Sequence, residues 1–166
     1  MIFADFVAGD AVFVDANILT FYFQPNPTWG AACGQLLQRI ENGEIDGFTS
    51  THVLSELSHR MMTIEASALF SWPFAGIGNR LRGNPAEVRK LQAFRHAIET
   101  VFQSKVQVLT IDPPLLVTAV ALSQSLGLLS NDALIVAVMN ANSLTKIASH
   151  DSDLDSVPGI TRYAPA

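Results

Sequence analysis

The sequence predicts an α/β fold in which a parallel sheet is covered by helices on both faces. Three observations predict it. The strand candidates are short apolar or β-branched runs rather than strict alternations, as expected of strands buried on both sides. Longer segments with helical spacing and recognisable start and stop residues separate them. The chain has 166 residues, 49% of them apolar, enough to bury about 70% of the unfolded surface around one core. That apolar content excludes disorder. With no internal repeat, low-complexity tract or dividing linker, the expectation is one domain over residues 1–166.

AVFVD at 11 to 15 reads as a buried strand whose carboxyl end carries Asp15. Thr28 can cap a helix through about Asn42, with Leu36, Leu37 and Ile40 on one face and Gly43 as its stop. A strand is expected at 46 to 50, then a helix from Ser50 or Thr51 to about Met62 with Val53, Leu54, Leu57 and Met61 as its core stripe. Between 64 and 86 the pattern loosens around Trp72-Pro73, Gly76, Gly78, Gly83 and Asn84-Pro85, leaving room for a short helix at 64 to 71. Pro85 suits the first turn of a helix lasting to about Ser104, with Val88, Leu91, Phe94 or Arg95, Ile98 and Phe102 at helical spacing. Residues 64 to 105 thus form a helical arm within the domain. A strand at 106 to 111, a helix from Pro113-Pro114 to Gly127, a helix started by Ser130-Asn131-Asp132, a strand at 144 to 149 and a short edge strand within 157 to 163 complete the chain.

The single Cys33 excludes an internal disulfide and a cysteine-rich zinc site, and it is expected to serve packing in a reducing, cytoplasmic setting. No apolar run approaches the roughly 20 residues of a membrane span. Ten bases stand against fifteen acids, yet residues 60 to 105 hold seven bases and three acids. A cationic arm therefore accompanies an acidic body, which tempers the argument that an acidic protein avoids nucleic acid.

Ligands of open α/β sheets bind beyond the carboxyl ends of the strands. Asp15 and Asp151 follow strands there, and Glu56 and Asp132 lie near the starts of helices that follow strands or tight loops. Four acids from distant positions can converge on one rim. Two carboxylates about 4 Å apart repel by roughly 4 kcal/mol at an effective dielectric of 20, so such a cluster takes up protons or a cation. Oxygen-only ligation favours Mg²⁺ or Mn²⁺ over zinc, and a divalent ion suits phosphodiester hydrolysis. Each acid also has a plainer reading: Glu56 can pair with Arg60, Asp132 can cap its helix, and Asp151, Asp153 and Asp155 can form a solvated loop.

These pieces resemble the PIN-domain ribonucleases, most of all the VapC toxins of prokaryotic toxin-antitoxin pairs. VFVDANIL at 12 to 19 is similar to the family's opening strand and acid, TSTHVLSEL at 49 to 57 to its helix with a central Glu, NDALIVAVM at 131 to 139 to its third motif, and IASHDSDL at 147 to 154 to its last. The resemblance implies a three-layer α/β/α sandwich and an acidic quartet of Asp15, Glu56, Asp132 and Asp151, with Asp153 an alternative or additional ligand. It further implies support from Asn17 and Ser149, Mg²⁺ or Mn²⁺ as cofactor, RNA as substrate, a homodimer, and a cognate VapB-type antitoxin. Two departures stand out: about ten residues precede the opening strand, and the segment between Glu56 and the strand at 106 to 111 is long. Arg80 and Arg82 in that segment are candidates for contact with the RNA backbone.

Other readings lead elsewhere. A haloacid-dehalogenase-like phosphatase needs a second acid where this chain has Asn17, and an amide cannot donate a catalytic proton. A catalytically silent RNA- or protein-binding module would keep the acids without a metal. A zinc site from His52, Glu56 and His59 lacks the HExxH pattern and one common helix face. Trp29, Trp72 and the phenylalanines are expected in the core or at a dimer contact, Phe21, Tyr22 and Phe23 alternatively in an antitoxin groove, and His150, beside Asp151, as an exposed loop side chain or alternatively as a contact to phosphate.

Overall fold

The structure is a computed structural model and describes residues 1–24 and 26–166. Five parallel strands form one sheet in the order β3-β2-β1-β4-β5: β1 Ala11–Val14, β2 Asp46–Ser50, β3 Gln107–Leu109, β4 Lys146–Ala148 and β5 Thr161–Tyr163. Phe13 of β1 lies opposite Phe48 on one side and Ile147 on the other. Chain order reverses about β1, so a crevice is expected beyond the carboxyl ends of β1 and β4. Parallel strands need crossovers and covered faces. They are supplied by α1 Ala16–Phe23, α2 Gly30–Glu41, α3 Thr51–Phe70, α4 Ile77–Gly83, α5 Pro85–Val88, α6 Ala93–Gln103, α7 Pro113–Leu126 and α8 Ser130–Ala141. Helices α1, α2, α3 and α6 pack together, and α7 packs along α8. The α/β/α architecture is the one expected.

Val12, Phe13 and Val14 are fully buried, and α8 buries every side chain from Ala133 to Met139. Cys33 is buried in α2, and burial pushes its thiol up to about 12, in keeping with a packing role. Among the described residues no single helix is long and apolar enough to cross a membrane.

The helical arm departs from expectation in three ways. Helix α3 runs on to Phe70 and absorbs the short helix at 64 to 71, ending at Ser71 with φ of 54°. The helix expected from Pro85 to Ser104 is broken into α5 and α6. The break has a cause: the carboxylate of Glu65 on α3 accepts the Gln92 and Ala93 N–H groups at 2.9–3.0 Å, capping α6 from another helix. Phe102 is 63% exposed, and Ala97 and Val101 are buried in its place. Ala66, Ile77, Leu81 and Leu91 form a small separate core under the arm.

Two local starts also differ. Helix α2 begins at Gly30, with the Asn26 side chain accepting from the Thr28 and Trp29 N–H groups, so Asn26 does the work assigned to Thr28. Helix α1 was not foreseen; Asp15 caps it by accepting from Ala16 N–H. The ten residues before β1 are strapped down: Phe6 stacks on Tyr163 of β5 with ring centroids 4.1 Å apart, and Arg39 donates to the Phe3 and Phe6 carbonyls.

Candidate acidic cleft

Beyond the carboxyl ends of β1 and β4 lies an open cleft of about 410 Å³ whose walls include Asp15, Asn17, Glu56, Arg60, Asp132, Asp151 and Asp153. The fold brings together all four acids of the expected quartet and Asp153. Each arrives by a different route: Asp15 at the β1–α1 junction, Glu56 in the second turn of α3, Asp132 in the first turn of α8, and Asp151 and Asp153 from the loop after β4.

Asp15 is the most constrained. It is 8% exposed, its Oδ1 accepts from Ala16 N–H at 2.6 Å, and its Oδ2 accepts from Asn17 Nδ2 at 2.5 Å and Ser149 Oγ at 2.7 Å. Burial pushes its carboxyl above the usual range, while the Ser149 and Ala16 bonds pull it back. Asn17 also donates to Ser149, so the two residues and Asp15 form a closed hydrogen-bonded network.

Asp132 is the opposite case. Its carboxylate accepts no hydrogen bond among the described residues, and the α8 start has no side-chain cap, so the plainer reading of Asp132 as a cap does not apply. Burial raises its pKa, and the charges of Asp151, Asp153, Asp15 and Glu56 raise it further. Those fields are the electrical signature of carboxylates converging on one space.

Glu56 takes the plainer reading and keeps its place in the cleft. Arg60 donates to its Oε1 through Nε at 2.8 Å and Nη2 at 2.6 Å. Arg60, foreseen only as an ion-pair partner, is itself a cleft wall. Asp151 Oδ1 accepts from Asp153 N–H at 3.1 Å. Among the described residues no three acid, histidine or cysteine side chains stand close enough to enclose an ion. Arg60 pairs with Glu56, and three donors hold Asp15.

The donor set nevertheless suits a hard dication. Among the described residues, five carboxylates and the amides of Asn17 and Asn131 line the cleft, no thiol or imidazole is among its walls, and its one cation, Arg60, is paired with Glu56. Arg80 and Arg82 lie exposed on α4 and are not among these walls. His52 and His59 are not either, and Asn17 acts as a donor to Asp15, unlike a phosphatase's general acid. Tyr22 and Phe23 line an apolar cavity with Leu19, Leu37 and Val101, whereas Phe21 turns to His150.

Comparison with known proteins gives the following. The family model described as PIN domain matches residues 12–160. No curated protein matches. Among solved structures, VapBC2 from Rickettsia felis, bound to a DNA fragment from its promoter, is similar with a TM-score of 0.62 at 14% identity, covering 94% of this chain and 99% of that one. VapC20 from Mycobacterium tuberculosis, a toxin that cleaves the sarcin-ricin loop, gives 0.58 at 16%, covering 89% and 95%. FitAcB from Neisseria gonorrhoeae gives 0.53 at 15%, covering 92% and 96%.

Proposed function

The chain belongs to the PIN domain family, and from that premise we propose that it is a Mg²⁺- or Mn²⁺-dependent endoribonuclease, the toxin of a toxin-antitoxin pair. The observation that carries the reading is the meeting of Asp15, Glu56, Asp132, Asp151 and Asp153 on one cleft at the point where the strand order reverses. The similar structures that are toxins or toxin-antitoxin complexes support the biological setting.

Asp15, Asp132 and Asp151 are the residues that would hold the ion, with Asp153 beside them. When bound, a dication offsets the carboxylate repulsion and stabilises charge on phosphate oxygens. The chain's own groups do the rest. The network from Ala16, Asn17 and Ser149 fixes Asp15 without rotamer freedom. Glu56 orients the attacking water and accepts its proton, and Arg60 holds that carboxylate in place. In-line attack on phosphorus breaks the bond to the 3′ oxygen, which takes a proton from solvent, leaving a 5′-phosphate and a 3′-hydroxyl.

The same proposal treats residues 1–166 as one nuclease domain with 64 to 105 as its helical arm, where Arg80 and Arg82 contact RNA beyond the cleft. It places a VapB-type antitoxin against the apolar cavity of Tyr22 and Phe23, and a homodimer contact on the exposed Leu116, Val117 and Val120 of α7. The test is incubation of the purified protein with structured RNAs in Mg²⁺, Mn²⁺ or chelator, beside Asp132→Asn. Cleavage that requires the ion and is lost in the variant is expected. Chelator-resistant cleavage, or an undiminished variant, overturns the mechanism.

A further inference from the structure

A second pocket of about 350 Å³ adjoins the acidic cleft and shares Asn17, Arg60 and Asp151 with it as walls; Phe21, His150 and Ser152 complete it. His150 is an exposed loop residue, as expected, and it is also held by its neighbours. Its backbone N–H donates to Asn17 Oδ1 at 3.1 Å, which ties the loop to the residue that also holds Asp15. Its imidazole lies edge-on to Phe21, with centroids 5.7 Å apart, and tilted against Trp29 at 5.3 Å. These contacts limit the ring's orientation before anything binds, so less conformational entropy is lost on binding. Arg60 spends Nε and Nη2 on Glu56, and its Nη1 makes no hydrogen bond among the described residues. The pocket thus offers an imidazole and a guanidinium with an unused N–H group, beside the Asp151 carboxylate that it shares with the cleft.

An RNA strand laid over an acidic cleft needs compensation for its neighbouring phosphates. Planar guanidinium and imidazole N–H groups are suited to supply it. We propose that this pocket binds the phosphate of the nucleotide adjacent to the scissile bond of a single-stranded RNA, with Arg60 and His150 as its donors and Phe21 and Trp29 setting the imidazole. The proposal rests on the ribonuclease reading and names positioning residues for it.

Binding of labelled single-stranded RNA, followed by anisotropy in Mg²⁺ buffer, tests it in an Asp132→Asn background. Oligonucleotides carry one uncharged methylphosphonate linkage, moved position by position. In the parent, one linkage weakens binding about tenfold, the size of a charge-assisted contact. Adding Arg60→Gln and His150→Ala removes the penalty at that linkage alone. It also lowers the slope of log affinity against log salt by about 0.7 for the lost phosphate contact. Arg60→Lys keeps most of the penalty, which a merely structural role would not predict. The proposal is overturned if the all-phosphate RNA does not bind, if no single linkage stands out, or if the pocket variant keeps the parent's penalty. Intact RNA after incubation of the wild-type protein with Mg²⁺ and Mn²⁺, together with the expected binding pattern, would refute the catalytic reading and leave the pocket standing.

Discussion

Ser149 donates its hydroxyl to Asp15 Oδ2 at 2.7 Å, joining the carboxyl end of β4 to that of β1 across 134 positions of sequence. Both side chains are buried. Removing one partner of a buried, charge-assisted bond leaves the other under-satisfied and costs about 1–3 kcal/mol. Ser149→Ala is therefore expected to lower unfolding free energy in urea by that amount. It should also push the Asp15 carboxyl further above its usual range, because the Ser149 bond is the largest influence opposing burial. RNA cleavage near neutral pH should fall about tenfold, the effect of roughly 1.4 kcal/mol. An unchanged urea midpoint would show that the network contributes nothing.

Asp132 meets four other carboxylates without accepting a hydrogen bond among the described residues. Replacing it by Asn removes repulsion and retains shape. Without divalent ions, Asp132→Asn is expected to unfold a few degrees above the wild type, corresponding to about 1 kcal/mol after solvent screening. Mn²⁺ should then raise the midpoint of the wild type and not that of the variant, since only binding to the folded form stabilises it. Differential scanning calorimetry with and without Mn²⁺ checks both; a less stable metal-free variant would mean that Asp132 is structurally supported.

Much of this site was legible in the sequence because buried parallel strands and their terminal acids leave local marks. AVFV ends at Asp15, and the apolar stretch after Asp132 is buried almost throughout. What was not legible depends on partners distant in sequence. Helix α1 was missed because ANILTFYF is short and mostly apolar, and its cap, Asp15, reads equally as a ligand. The break between α5 and α6 hinges on Glu65, which sits in α3, 27 positions from the Gln92 amide it caps, while α6 has no side-chain cap from its own N-cap residue. The aromatic neighbours of the exposed His150 were not legible, because they come from α1 and the residue before α2.

Asp10 and Lys146 form an ion pair that ties the segment before β1 to the first residue of β4. The Lys146 hydrogen bond holds the Asp10 carboxyl below its ordinary 3.8, and the same bond holds Lys146 above 10.5. A lowered carboxyl pKa gives stability that is complete above 3.8 and lost as pH falls through the folded value. A raised lysine pKa gives stability that is complete below 10.5 and lost as pH rises through the folded value. Asp10→Asn is accordingly expected to lower the urea midpoint near neutral pH, and the gap to wild type should close once acid has protonated Asp10. An acid limb persists in the variant, since Arg162 holds Asp155 below 3.8 in the same way. A gap independent of pH would assign the effect of Asp10 to its uncharged contacts.

Gly47 lies where β2 passes under α2, and a Cβ there would stand 2.7 Å from Ile40 Cδ1, 2.8 Å from Cγ2 and 3.1 Å from Cγ1. The first two distances are shorter than carbon atoms tolerate, so Ile40 or the helix must move. Ile40 is 1% exposed and β-branched, and its χ1 is largely fixed within a helix, so the side chain cannot swing aside freely. Gly47→Ala is expected to destabilise the fold by about 1–3 kcal/mol, the usual cost of overpacking. Because Gly47 pairs with Val12 near the amino ends of the strands, away from the acidic cleft, cleavage per folded molecule should be unchanged. Ile40→Ala opens a cavity by itself but relieves the clash in the double variant. The two substitutions should therefore be non-additive, with Gly47→Ala costing at least about 0.5 kcal/mol less in the Ile40→Ala background. Equal costs in both backgrounds, measured by urea unfolding, would show that Ile40 does not set the spacing of α2 on the sheet.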